Sequence, residues 1–395
     1  MPKRDRSASP PAARDRIVSF STAAADESRA AAEIAAAVGG VDGLTVLFAT
    51  TEYDLGRLGR ALSRRGIRRT LGAATGCAIG ADGFLDRGIA GFHLPNARFE
   101  AFDEAIENVG AFGLPDARKL GAALRARLRH HASPGRHAAF GFLLVDAEAR
   151  CEERLIAAIG TEFAGLPLVG GSAGDLFFKP LGQPQGATRL LYRGRALRNA
   201  AVLCLVCCDS TVRALSHNHY RPGRRKVVIT DADHERRLVR EINGRPALAE
   251  YAAVCGLKKL PTRGEHFASH PLMIRIGGQY FARGVQRAYA DGRIEFACAI
   301  ESGVVASVAT PEDMVARLRE MFADLVADIG APELVIGFEC AARTAYMRQA
   351  GLTAAVAELF REHRVNGFAT LGEQFNTVHV NNSFTALAIA ARPPA

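Results

Sequence analysis

The chain has 395 residues, of which 48% are hydrophobic and 23% are charged, and its formal net charge is +9. This composition is typical of a globular protein of two or three domains and excludes a fibrous or wholly disordered chain. The arginines that carry most of the charge are scattered along the sequence. The chain therefore lacks the block of like charge that is typical of a nucleic-acid-binding tail.

Residues 1–16 are rich in charged residues, serine and proline. They lack the apolar segment of a signal peptide, which predicts a disordered leader. No run in the chain approaches the ~18 apolar residues of a membrane-spanning helix. We therefore expect a cytoplasmic protein without a membrane span, in which the eight cysteines are mostly reduced thiols.

Strands and helices alternate through the first half of the chain, which predicts an α/β arrangement. The Ala-rich segment 26–38 ends at Gly39-Gly40, and Asp54 opens the segment 54–65, so we expect both segments to be helices. Further helices are predicted at 116–130 and 147–163. The predicted strands are 44–50, 70–80, 88–92, 138–146, 166–169 and 200–208.

The second half of the chain combines helices of amphipathic pattern with short strands around glycine-rich turns. The predicted helices are 233–242, 246–255, 311–328 and 350–363. The predicted strands are 226–230, 272–276, 279–285, 295–299, 333–338, 366–370 and 379–388. Together the two halves predict an α/β (mixed α+β) fold. It would have two similar-sized domains, 17–215 and 216–392, whose mixed β-sheets are flanked by helices.

Two histidines stand close together in Ser216-His217-Asn218-His219-Tyr220. If the segment is extended, His217 and His219 lie on the same face, because side chains alternate along a strand. Imidazole is a common ligand of metals and of haem iron. The residues alone leave either histidine as a candidate ligand. No catalytic motif lies nearby, which favours a ligand or metal sensor over an enzyme.

Two other motifs resemble functional sites but are better interpreted as structural. Gly170–Asp175 matches G-x-S-x-G after a predicted strand, but Pro180 would soon end the helix that a nucleophile elbow needs. We therefore expect a tight, close-packed glycine loop. Cys204 and Cys207 form C-x-x-C within an apolar strand, where they would point to opposite faces as buried hydrophobic residues.

Three glutamates, Glu301, Glu339 and Glu373, could serve as general acids or bases. None of them stands at a diagnostic spacing from a nucleophile. The sequence therefore predicts that the protein is not an enzyme.

Several longer motifs resemble a single family. They are Glu241–Ala247, His270-Pro271, Phe296–Gly303, Gly367–Asn376 and the Gly170–Asp175 segment. In this order they resemble the FIST sensory proteins, over nearly the whole chain from about Val18 onward. The resemblance implies an N-terminal FIST domain at 17–215 and a C-terminal FIST domain at 216–392.

Within that family, a two-domain chain without an output domain is similar to the NosP haem-binding nitric-oxide sensors. The resemblance implies haem b as cofactor and nitric oxide as ligand. It also implies that a partner histidine kinase, diguanylate cyclase or phosphodiesterase is regulated, and a homodimer is a further expectation. His219-Tyr220 matches the family's histidine–aromatic pair, so His219 is the expected iron ligand with Tyr220 beside it. His379 is a second candidate ligand.

The chain departs from the family pattern at Glu301-Ser302 and at Ala341–Thr344, and we expect these departures to affect a partner surface more than the pocket. The alternative function is a haem-free sensor of a small metabolite such as an amino acid. In that case Arg275, Glu373 and Asn376 would hold the charged ends of the ligand. A protein-interaction scaffold is a third alternative.

Overall fold

The computed structural model describes residues 15–131, 138–175, 188–260 and 267–392. Of the leader predicted at 1–16, all but Asp15 and Arg16 lies outside the described residues. Within these ranges no helix is both long and apolar enough to cross a membrane. The fold is a mixture of helices and mixed β-sheets, which confirms the predicted class.

The first half of the chain, up to His217, alternates strands with helices. Its strands are β1 Val18–Thr22, β2 Gly43–Thr50, β3 Thr70–Thr75, β4 Ala78–Gly80, β5 Gly83–Leu85, β6 Ile89–Pro95, β7 Phe99–Glu107, β8 Ala138–Asp146, β9 Leu168–Ala173, β10 Leu190–Tyr192, β11 Arg195–Leu197, β12 Ala200–Cys208 and β13 Val212–His217. Its helices are α1 Glu27–Val38, α2 Leu55–Arg64, α3 Leu114–His131 and α4 Glu152–Glu162.

The second half begins with a long strand and ends with a compact group of strands and helices. Its strands are β14 Tyr220–Asp233, β15 Leu238–Ile242, β16 Arg245–Pro246, β17 Leu272–Ile276, β18 Gln279–Arg283, β19 Val285–Ala288, β20 Ile294–Phe296, β21 Val305–Pro311, β22 Pro332–Cys340, β23 Val365–Thr370, β24 Glu373–Phe375, β25 Val378–Val380 and β26 Phe384–Ala390. Its helices are α5 Ala247–Cys255, α6 Met314–Ile329, α7 Ala341–Gln349 and α8 Thr353–Glu362.

Side-chain and glycine caps define the ends of α1 and α2, and those at Asp54 and Gly39 were predicted. Asp26 and Asp54 each accept a hydrogen bond at the helix N-terminus, from the backbone N–H of Arg29 and Arg57. Gly39 ends α1 in the left-handed conformation, with φ of 65°.

The described strands form four sheets. Their orders are β1-β6-β2-β3-β10-β11, β25-β24-β9-β8-β12-β7, β13-β26-β22-β23-β4-β5, and β18-β17-β21-β14-β15-β20-β19 with β16 beside β15. Each of the first three sheets contains one parallel pair joined through helix, and an antiparallel strand beside it. The fourth sheet is antiparallel throughout. This threefold recurrence of one arrangement was not predicted from the sequence.

Strands cross between the two halves of the chain. The hairpin β4–β5 pairs with β23 of the third sheet, and the hairpin β24–β25 pairs with β9 of the second sheet. The main hydrophobic core likewise contains residues of both halves, and the rings of Phe48 and Phe368 stack in it with centroids 4.7 Å apart. The described parts of the first three sheets therefore share one core.

The prediction of a helix at 233–242 is wrong, because this segment contains the strand β15. Asn243 and Gly244 adopt positive φ values of 53° and 71°, which close the tight β15–β16 hairpin. Leu238, Val239 and Ile242 are buried in the core of the fourth sheet. Turn geometry and burial thus outweigh the helical spacing of the apolar residues.

The glycine motif is an inner strand and not the expected loop. Gly170 and Gly171 lie in β9, between β8 and β24. A Cβ atom on Gly170 would come within 2.2 Å of the Leu143 carbonyl oxygen, so close packing does explain the glycine there. Cys204 and Cys207 lie in two different core clusters, which confirms that they point to opposite faces of β12.

Candidate ligand-binding site

A cluster of buried polar side chains lies where the parallel strands β22 and β23 end. Glu339 and Cys340 close β22, Thr370 closes β23, and Ser383 directly precedes β26. Ligands of open α/β sheets commonly bind at the carboxyl ends of the strands. This edge of the third sheet is therefore the leading candidate position for a ligand site.

An ion pair forms the centre of the cluster. Helix α7 begins directly after β22 and carries Arg343 in its first turn, with Nε 2.7 Å from Oε1 of Glu339. Both side chains are fully buried. Burial raises the pKa of Glu339, and the Arg343 guanidinium opposes that rise. The cluster thus places one positive and one negative group together in a low-dielectric environment.

His219 contacts the same guanidinium. Nη1 of Arg343 lies 3.3 Å from Nδ1 of His219. Burial, followed by the charge of Arg343, lowers the pKa of His219 to about 2, so the imidazole is neutral near pH 7. A guanidinium can only donate hydrogen bonds, so this contact is a hydrogen bond when Nδ1 accepts and the single ring proton lies on Nε2. His219 therefore presents an N–H donor.

The three central side chains all keep unused hydrogen-bonding atoms. Nη2 of Arg343, Oε2 of Glu339 and Nε2 of His219 are buried and have no hydrogen-bond partner among the described residues. Leaving a buried polar atom unsatisfied costs roughly 1–3 kcal/mol, and more for a charged group. Such a concentration makes this sheet edge the candidate site for polar groups from outside the chain, whether water or a ligand.

Two tyrosines flank the His219 ring. The ring centroid lies 4.0 Å from that of Tyr220 and 4.8 Å from that of Tyr346. The Tyr220 hydroxyl donates a 2.6 Å hydrogen bond to the backbone oxygen of Ala268. Because that proton is already used, Tyr220 serves as an aromatic neighbour that orients His219.

Glu373 adds a neutral carboxyl group to the cluster. Its Oε1 lies 2.6 Å from the Thr370 hydroxyl oxygen, and its Oε2 accepts from the Ser383 hydroxyl at 2.6 Å. Burial raises the pKa of Glu373 to about 8, so it is mostly protonated at pH 7. The Thr370 hydroxyl, which donates to Oε1, also lies 3.4 Å from the backbone oxygen of Glu339 and so links the two glutamates.

The segment between β25 and β26 adds further polar atoms. Both polar side-chain atoms of Asn381, Oδ1 of Asn382 and Nε2 of His379 are buried without a hydrogen-bond partner in the described part of the chain. Asn382 is tied to the centre through its backbone N–H, which donates to Sγ of Cys340 at 3.1 Å. Gly372 permits the close approach of His379, because a Cβ there would lie 2.4 Å from its Cε1.

Comparison with known families gives two matches along the chain. The model of the FIST N domain matches residues 43–245 and that of the FIST C domain matches residues 247–376. The first match alone covers more than half of the 395 residues. The chain belongs to the FIST family. No curated protein matches it. FIST domains are sensory domains of signal-transduction proteins, so the predicted family and the general class of sensor are confirmed.

The structure of this FIST protein brings together some of the predicted site residues and separates others. His219, Tyr220 and Glu373 all belong to the buried cluster or its wall, and His379 lies at its border. Arg275 and Asn376 do not belong to it. Arg275 lies exposed in the β17–β18 hairpin and donates to the Gly278 oxygen, and Asn376 is exposed in the β24–β25 turn at φ of 54°.

Arg343 is the functional candidate that sequence reasoning missed. The segment Ala341–Thr344 was expected to affect a partner surface, but Arg343 is completely buried and holds both Glu339 and His219. A usable signal was present. Glu339 and Arg343 are charged residues in an otherwise apolar stretch, and such residues are rarely buried unless they are paired.

The hydrogen bonds of His219 indicate whether its ring suits the haem iron that the resemblance implies. A metal-bound histidine usually coordinates through one nitrogen while the other donates its proton to an acceptor. His219 has the reverse arrangement, since Arg343 donates to Nδ1 and Nε2 carries the proton. As placed here, His219 does not fit an iron ligand. Among the described residues, no three His, Cys, Asp or Glu side chains form a metal-binding group.

Proposed function

We propose that this FIST protein is a sensor of a small zwitterionic metabolite in the amino-acid class. The observation that carries the proposal is the set of unused buried atoms around the Arg343–Glu339 pair. Donors and acceptors occur side by side in this set. A ligand with both a carboxylate and an ammonium group would satisfy both kinds of atom.

The donors suit a carboxylate. Nη2 of Arg343 and the N–H on Nε2 of His219 are both without a partner among the described residues, and they belong to side chains in direct contact. Charge-assisted hydrogen bonds from a guanidinium to a carboxylate are short and about twice as strong as neutral ones. Arg343 is the first positive group at the site, and the ammonium group of the ligand would be a second. The carboxylate of the same ligand would balance that second charge.

The acceptors suit an ammonium group. Oε2 of Glu339 is a carboxylate oxygen without a partner in the described residues, and the amide oxygens of Asn381 and Asn382 are likewise unused. A zwitterion adds no net charge to the buried cluster, whereas a simple anion or cation would add one. Since a buried net charge is costly, the cluster favours the zwitterion.

The proposal is tested by measuring thermal unfolding and calorimetric binding with a panel of amino acids. Matched ligands that lack either the carboxylate or the ammonium group are included. At a ligand concentration 100 times Kd, specific binding stabilises the protein by about 2.7 kcal/mol. We expect at least one amino acid to bind, and its two truncated analogues to bind at least about tenfold more weakly.

Arg343→Lys is the informative variant. It keeps the charge beside Glu339 but loses the planar set of donors, so affinity should fall about 10- to 100-fold while the fold is retained. Arg348→Lys on the same helix is the matched control and should leave affinity unchanged. The proposal is wrong if no amino acid stabilises the protein, or if both variants bind as the parent protein does.

We further propose that ligand binding is reported to a partner protein. The family is sensory, and the resemblance to two-domain sensors implies a histidine kinase or a cyclic-di-GMP enzyme as that partner. A ligand can shift such an output only by binding one conformation better than another. Partner activity should therefore change with the identified amino acid and stay constant in Arg343→Lys at the same concentration.

A haem-based nitric-oxide sensor is the second candidate function. It rests on His379, whose Nε2 is buried without a partner in the described residues. The 3.5 Å contact from Gln374 to its Nδ1 is too long to define the ring tautomer. A Soret band in the purified protein that His379→Ala abolishes and His219→Ala leaves in place would support this candidate. A protein that stays colourless after reconstitution with haem would exclude it.

A further inference from the structure

A cavity lies at the end of the third sheet opposite the candidate ligand site. Its volume is about 710 Å³, and it is bordered by the edge strand β1 and by the beginning of β23. The candidate ligand site lies at the carboxyl ends of β22 and β23, whereas this cavity lies at their amino ends. The two sites are therefore separated by the length of the strands.

The cavity is strongly basic. It is lined by five arginines and two acids, which are Arg16, Arg98, Arg361, Arg364, Arg392, Asp15 and Glu333. Arg98 pairs with Glu333 at 2.8 Å, and Arg392 pairs with Asp209. Arg16, Arg361 and Arg364 form no ion pair with any described residue. Three of the five cavity arginines thus lack an ion-pair partner among the described residues, and the arginines outnumber the acids in the lining.

Buried polar groups distinguish the cavity from an ordinary basic surface. Arg98 is only 3% exposed and Asn366 only 1%. Nδ2 of Asn366 donates to the Gly91 carbonyl oxygen at 2.9 Å, which identifies the other amide atom as oxygen. That oxygen, Oδ1, is buried and has no hydrogen-bond partner among the described residues. Asn366 lines the cavity, so its wall contains a buried, unused acceptor near the arginines.

We propose that this cavity binds a small organic phosphate that also carries a hydroxyl or N–H group. A phosphate dianion matches the guanidinium groups, which bind its oxygens in planar, bidentate geometry. The hydroxyl or N–H group would donate to Oδ1 of Asn366. The volume lies within the range of about 300–1,000 Å³ that is usual for small-molecule pockets.

The experiment is calorimetric titration with 5′-AMP and with inorganic phosphate. AMP should bind, and inorganic phosphate should bind at least about tenfold more weakly because it cannot reach both the arginines and Asn366. In the double variant Arg361→Gln/Arg364→Gln the AMP affinity should fall by about 100-fold or more, since each charge-assisted hydrogen bond contributes roughly tenfold or more.

Arg221→Gln/Arg224→Gln is the matched control. It removes the same charge from two exposed residues of β14 that do not line the cavity, and it should change AMP affinity less than about twofold. Circular dichroism melting curves verify that both variants fold. The proposal is overturned if AMP does not bind at millimolar concentration, if both double variants weaken it equally, or if inorganic phosphate binds as tightly as AMP.

Discussion

The two ends of the third sheet differ in how their arginine charges are stabilised. At the carboxyl end, Arg343 is fully buried and its charge is paired with Glu339 at 2.7 Å. At the amino end, Arg361 and Arg364 are exposed and lack an ion-pair partner among the described residues. Water screens the open arginines, so their net positive charge is tolerated. The buried arginine has no such screening and needs a carboxylate beside it.

This difference indicates which net charge a ligand should have at each end. A buried, internally neutral site favours a ligand without net charge, whereas an open basic cavity favours an anion. The same distinction predicts that substitutions in the buried cluster affect stability strongly and that substitutions of the exposed cavity arginines, Arg361 and Arg364, do not. The following predictions test that contrast, from the largest expected effect to the smallest.

Arg343→Met should lower the free energy of unfolding by about 3–5 kcal/mol, because it leaves Glu339 buried without its partner. Urea denaturation at pH 7 measures this loss. The double variant Glu339→Gln/Arg343→Met should lose clearly less than the sum of the two single losses, since it leaves no unpaired charge. A loss below about 1 kcal/mol for Arg343→Met would show that the pair is not buried as described.

Glu373→Gln should change how stability depends on pH. The pKa of Glu373 is raised from 4.5 to about 8, so its favourable protonation is fully present below about pH 4.5 and is lost as pH rises towards 8. The loss should be on the order of a few kcal/mol in the parent protein. The glutamine variant should lack this component.

The measurement for Glu373 is urea denaturation at half-unit steps between pH 4.5 and 8.5. Glu339 and Cys340 act on the Glu373 carboxyl group, and Arg343 pairs with Glu339. All three remain in both proteins, so the difference between the two curves isolates Glu373. Parallel curves over this range would contradict the raised pKa.

Tyr220→Phe should destabilise the protein by about 1 kcal/mol. The variant loses the 2.6 Å hydrogen bond to the Ala268 oxygen but keeps the ring contact with His219. The Ala268 oxygen also accepts from Asn382 at 3.4 Å, so it is not left without a donor. Thermal unfolding would reveal the difference, and a loss above about 3 kcal/mol would indicate a larger role for the hydroxyl.

Arg361→Gln/Arg364→Gln should change the free energy of unfolding by no more than about 0.5 kcal/mol, because both side chains are exposed. The change should favour the folded state slightly at low ionic strength, where repulsion among the cavity arginines is least screened. Urea denaturation at 20 mM and 300 mM salt provides the comparison. A large destabilisation would show that these arginines hold the sheets together.

Most individual elements could be predicted from local sequence. The apolar segment 200–208 is the strand β12, and Asp54 and Gly39 stand at the helix ends that they predicted. The prediction of a helix at 233–242 failed because the apolar residues of this segment suit a helix in isolation. Only packing against β14 and β20 makes Leu238–Ile242 a strand. The pairing of β4 with β23 joins residues almost 300 positions apart, and no local pattern reports such a contact.

The sequence by itself determined the family, the mixed fold class and the importance of the segment that contains His219 and Tyr220. Motifs and local periodicity carry that information because they depend on neighbouring residues. Only the tertiary structure decided that Arg343 contacts His219, which places the ring proton on Nε2 and turns an expected metal ligand into a hydrogen-bond donor. It also decided that the arginines around Asn366 share one cavity. Both results depend on distances between remote residues, which the fold sets.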